Sequence, residues 1–194
     1  MNIHAPALDL APPSFSEGLD DWSRGDGTPD SLSYAGAGDA RIASGDPDFG
    51  TCLEMRKTEP VQRLRYMGEV PMRAGRFIEI AVRLKGMRGP LSMVQIAALP
   101  GAMHGKPLTG LPTDGPARGF GRHGAILSLR AVIGPEALPG VDLVWDNRAM
   151  YTHVGLDLVG LNGGVVRVED IGVRDVTRSF SPSGPILPGF SPVP

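Results

Sequence analysis

With a single cysteine, Cys52, the chain can form no disulfide within itself. The apolar alternation around that residue marks it as a small buried hydrophobe. No apolar run approaches the ~18 residues of a membrane span, so membrane insertion is not expected. The opening Met1-Asn2-Ile3-His4-Ala5-Pro6 lacks the basic start and apolar stretch of a secretory signal, so synthesis in the cytoplasm is expected. Aromatic residues make up 6% of the chain, a thin supply for stacking platforms. Catalytic signatures are missing as well: no Gly-x-Ser-x-Gly elbow, phosphate loop or His-Glu-x-x-His occurs. His4, His104, His123 and His153 lie too far apart to form a metal motif, and Cys52 has no neighbouring base. An enzyme is not expected. A net charge of −2, without a clustered basic-aromatic surface, gives no drive toward nucleic acid.

Glycine and proline are abundant instead, at 27 and 19 residues. Both disfavour long helices and favour short strands joined by turns. Arg76–Lys85 places Ile78, Ile80, Val82 and Leu84 on one face and Glu79, Arg83 and Lys85 on the other, the two-residue period of a half-buried strand. The run 124–133 turns Leu127, Leu129, Ala131 and Ile133 inward in the same way. Further strands are expected at 49–57, 61–67, 92–99, 141–146, 152–159 and 165–176, most of them bounded by Gly or Pro. Eight to ten such strands suit an all-β, two-sheet antiparallel sandwich of the jelly-roll kind.

Three segments fall outside that pattern. Residues 1–13 read as an N-terminal arm, and 180–194 as a proline-rich C-terminal arm flanking a domain over 14–179. Five prolines make the C-terminal arm extended. Its Ile186, Leu187 and Phe190 are too apolar for an inert spacer and are expected to dock on a partner. The stretch 99–121 reads as a long irregular connection, a place to look for a partner contact. Charge is also uneven. Residues 1–60 hold 11 acidic and 4 basic side chains, against 10 and 15 in the remainder. Such a distribution suits head-to-tail stacking or scattered solvated charges.

Phe15-Ser-Glu-Gly-Leu-Asp-Asp-Trp22 resembles the opening strand of jelly-roll carbohydrate-binding modules, and Val165–Asp175 resembles their closing strand. The resemblance brackets 15–176 and implies first and last strands lying side by side. It also implies a structural calcium between them, for which Glu17 and Asp170 are the matching acidic positions. No cofactor is required. For a sugar site, the richest run is Trp145–His153, which gathers Trp145, Asp146, Asn147, Tyr151 and His153. The other reading makes Trp145 and Tyr151 core residues flanking a hairpin.

Four runs extend the likeness: Asp46–Glu54, Gln62–Glu69, Tyr151–Leu158 and Asn162–Ile171. They are similar to an alphaproteobacterial domain often placed ahead of a pectate-lyase-like β-helix. That domain resembles the head-spike base of gene transfer agents, phage-like particles of the same bacteria. This resemblance implies a homo-oligomeric structural protein of a particle head, five-fold if it sits at a capsid vertex. It would join a capsid protein to a spike fibre protein that attaches to cell-surface polysaccharide. The alternative is a free-standing, non-catalytic carbohydrate-binding module.

Overall fold

Alternating apolar residues bounded by turns become strands wherever two faces need burial on one side and water on the other. The computed structural model describes residues 12–25, 32–72, 74–103 and 106–180. In chain order the strands are β1 (Trp22–Ser23), β2 (Ala40–Asp46), β3 (Gly50–Arg56), β4 (Val61–Tyr66), β5 (Val70–Pro71), β6 (Ile78–Arg88) and β7 (Met93–Met103). They continue with β8 (Lys106–Pro107), β9 (Asp114–Gly119), β10 (Ile126–Gly134), β11 (Leu143–Val144), β12 (Tyr151–Val159) and β13 (Val165–Asp175). A short helix α1 (Thr177–Phe180) follows.

Two sheets form. One runs β1-β4-β12-β7-β8, with β5 beside β12 and β9 beside β7; the other runs β11-β10-β6-β13-β3-β2. Between them lies one core. Ile78, Ile80, Val82 and Leu84 of β6 join Val154, Leu156 and Leu158 of β12, all fully buried. Each such side chain contributes about 1.5–3 kcal/mol on leaving water. The expected all-β, two-sheet sandwich is therefore the observed architecture. One pair departs from the antiparallel pattern, since β11 lies parallel to β10.

Three expectations need correction. The first and last strands are not neighbours: β1 pairs with β4 in one sheet, while β13 lies between β6 and β3 in the other. The opening motif is no strand but a 3-10 turn, Phe15–Glu17, capped by Ser14. Its Phe15 ring lies 4.7 Å from Trp22 and plugs the core. The segment 99–121 is not one irregular loop either. β7 continues to Met103, and both β8 and β9 fold back on it at the sheet's edge. Prolines are tolerated there because an edge strand need not donate on both sides. At the C-terminal end of the described residues, Phe180 stacks on Phe77 at 4.5 Å. Ile186, Leu187, Phe190 and most of the N-terminal arm lie outside the described residues.

Candidate functional site

β6 is the strand that organises the outer face of the six-stranded sheet. Its inward alternation is apolar, so Glu79, Ala81, Arg83 and Lys85 must point outward. β13 and β10 flank it, and register fixes the neighbours: Arg174 and Val132 beside Glu79, Gly172 and Arg130 beside Ala81, Asp170 and Ser128 beside Arg83. Small residues in the middle row leave a trough of about 660 Å³, floored by Ala81, Gly172 and Ser128 and rimmed by Glu79, Arg83, Arg130 and Arg174. From Glu79 to Arg83 the strand advances about 14 Å, enough to seat several units of a linear chain.

The rim is held by ion pairs. Glu79, whose side chain is 9% exposed, takes Arg174 at 2.7 Å on one oxygen and Arg130 at 3.9 Å on the other. Arg83 pairs with Glu169 at 2.6 Å and lies over the Phe49 ring. Beyond Arg83 stands a buried network. Lys85 donates to Asp46 at 2.7 Å and to Asp48 at 2.6 Å, and Arg167 bridges Asp46 to Glu54. Burial would push the Asp46 carboxyl up, but Lys85, Arg167 and the Asp48 and Phe49 amides outweigh it and hold it well below the ordinary carboxylate range. The network ties the β2–β3 turn to β6 and β13.

The run singled out for sugar binding divides in two: Trp145, Asp146 and Asn147 line one small cleft, while Tyr151 and His153 meet edge to face at 5.3 Å. Trp145 is core, 1% exposed, with its Nε1–H donating to the Pro112 carbonyl at 2.8 Å. Tyr151 is buried and donates its hydroxyl to the Met103 carbonyl. His153, half-buried, lies 3.1 Å through Nδ1 from the Gly68 carbonyl. Asp146 and Asn147 sit exposed on a turn beside a small cleft, where Arg148 engages the Asp146 carboxylate at 2.6 Å. None of the five lines the trough on the six-stranded sheet.

Glu17 and Asp170, the two positions expected to hold calcium, lie on separate elements. Glu17 is exposed on a turn that packs against β3; Asp170 is exposed at a bulge of β13 opposite Arg83. Among the described residues no group of three or more His, Cys, Asp or Glu converges to hold a metal. An oxygen-rich cluster does exist elsewhere, and a lysine fills it. Lys57, 1% exposed, donates to the carbonyls of Glu59, Pro60 and Gly160.

Alternation in the sequence marks Glu79 and Arg83 as outward residues but does not bring them together with Arg130 and Arg174. Arg130 and Arg174 occupy outward positions of strands that were legible one by one. What joins them is the placement of β6 between β10 and β13, and no local pattern encodes that pairing.

No family model and no curated protein sequence matches the chain. Solved structures do. The CBM22-1 xylan-binding domain from Paenibacillus barcinonensis Xyn10C is similar with a TM-score of 0.55 and 12% identity, covering 88% of this chain and 96% of that one. The CBM22-1-CBM22-2 tandem domain of the same protein gives a TM-score of 0.58 at 12% identity, over 90% of this chain and 51% of that one. The enzymatically active domain of bacteriophage CBA120 tailspike protein 4 gives 0.53 at 10% identity, over 86% of this chain and 22% of that one. At these identities the likeness is one of fold.

Proposed function

We propose that this domain is a non-catalytic carbohydrate-binding module that takes a polysaccharide segment along the trough between β10, β6 and β13. The observation that carries the reading is the trough itself. Its floor of Ala81, Gly172 and Ser128 is narrow enough to admit a chain, and its rim presents forked donors and a carboxylate acceptor suited to hydroxyl pairs. The likeness in fold to a xylan-binding domain supports it. The test is Gly172→Leu. A Cβ here meets no atom closer than the Ala81 carbonyl oxygen at 3.8 Å, and the backbone needs no left-handed conformation. The variant should fold normally, fill the floor and lose polysaccharide binding on affinity gels. Retained binding would move the site elsewhere.

A second reading is favoured by the likeness in fold to a domain of a phage tailspike. In it the sandwich is the base of a spike on a phage-like particle, a homo-oligomer between capsid and fibre, and the trough retains a sugar. Native mass of the purified chain, alone and mixed with the products of neighbouring genes, tests this reading. A monomer that joins none of them would leave the free-standing module.

A further inference from the structure

We infer that the trough selects acidic polysaccharide, with a uronate carboxylate seated between Arg130 and Arg174; this rests on the trough being the sugar site. The argument comes from how charge is shared along it. At the β2–β3 end the cations are matched: Arg83 faces Glu169 at 2.6 Å with Asp170 beside it, and Lys85 is held by Asp46 and Asp48. At the opposite end two guanidinium groups share one carboxylate. Glu79 is committed to Arg174 at 2.7 Å and reaches Arg130 only at 3.9 Å. The side chains of Arg130 and Arg174 are 74% and 67% exposed, whereas Glu79 is buried beneath them. That end therefore carries an unmatched positive charge on planar forks that project into solvent.

A carboxylate is the partner those forks fit, since guanidinium and carboxylate are planar and pair through two parallel hydrogen bonds. The lining points the same way by what it offers instead of stacking. The trough is lined by Glu79, Ala81, Val82, Arg83, Ser128, Leu129, Arg130, Gly172, Val173 and Arg174, without an aromatic ring to take the apolar face of a neutral sugar. Recognition rests on hydrogen bonds and charge. Gly172 and Ala81 lie in the row beside Arg130, so a sugar ring on that floor would bring a ring-borne carboxylate within reach of both forks.

The test uses the full chain and three probes: an oligogalacturonate, its methyl ester, and xylohexaose. Calorimetry should give the free acid at least about tenfold tighter binding than the ester, the size of one charge-assisted contact. Raising the salt should weaken the acid and leave the ester unmoved. Arg130→Gln should bring the ratio of acid to ester close to one. Should xylohexaose and the ester bind as tightly as the acid, the uronate inference fails and the sugar site stands. If Gly172→Leu leaves acid binding unchanged while its melting curve matches the parent, the trough is wrong, and both fall. Absence of binding to every probe likewise overturns both.

Discussion

Lys57 and Gly160, 103 residues apart, meet through a 2.7 Å hydrogen bond from the ammonium to the carbonyl, inside the sandwich. The Glu59 and Pro60 carbonyls complete the cluster, and the Lys57 backbone pairs with Gly163 and Gly164. One ammonium thus ties the β3–β4 loop to the β12–β13 loop in the manner of a structural cation. Replacing it takes the ammonium donor from the Glu59 and Gly160 carbonyls, while the Pro60 carbonyl keeps the Gly160 amide at 3.0 Å. Lys57→Met should lower stability by about 1–2 kcal/mol, read as a shift of the urea midpoint at unchanged slope. A variant as stable as the parent would mean that water replaces the ammonium at no cost.

The same cluster bears on calcium. With the oxygen-rich position filled by Lys57 and Glu17 and Asp170 held on separate elements, we expect the melting temperature to be indifferent to calcium or chelator. A rise of several degrees in millimolar calcium, reversed by EDTA, would reveal a site formed in some other way.

Asp46 is one of the carboxyls through which acid should destabilise the fold. Its carboxyl titrates lower in the folded chain than in the unfolded one, where an aspartate stands near ~3.9. A depressed carboxyl contributes stability that is fully present above the unfolded value and is lost as pH falls toward the folded one. Stability should therefore hold from neutrality down to about pH 5 and decline progressively below pH 4. Asp46→Asn should be less stable at pH 7, because Lys85 and Arg167 lose a buried counter-charge, and should show a flatter decline in acid. Denaturant midpoints at four pH values decide it; equal slopes in parent and variant would clear Asp46 of the role.

What the sequence made legible was periodicity. β6, β10 and β13 stand where alternation placed them, because each buries one face and wets the other. β8 and β9 were hidden by Pro107 and Pro116, which weaken a strand signal but are harmless at an edge. Trp145 was ambiguous for a different reason. Its polar neighbours fitted a binding platform and its apolar ring fitted a core residue; the indole is buried, and Asp146 accepts from the Arg148 backbone and guanidinium in the turn beside it. The trough was illegible because it is a product of pairing among strands far apart in the chain.

Both tryptophans being core, ligand binding should be silent in intrinsic fluorescence. Trp22 and Trp145 are each 1% exposed, and neither lines the trough. Emission should be that of buried indole and should not move when a polysaccharide saturates the protein by calorimetry. Quenching or a shift that tracks occupancy would place the ligand at the Trp145 end of the sandwich and revive the Asp146–Asn147 cleft as the site.

The C-terminal boundary separates folding from docking. Phe180 stacks on Phe77 at 4.5 Å, and the Phe77 amide donates to the Thr177 hydroxyl at 3.0 Å, so α1 closes the end of β6. A chain ending at residue 180 should melt with the full-length protein. One ending at residue 176 bares Phe77 and should lose about 2 kcal/mol. The two truncations then test the particle reading, because the first removes Ile186, Leu187 and Phe190 and keeps every described residue of the sandwich. If those side chains dock on capsid or fibre, the chain ending at 180 keeps its fold and its polysaccharide affinity but no longer co-sediments with its partners. Undiminished co-assembly by that chain would show the arm to be dispensable and leave the sandwich surface as the contact.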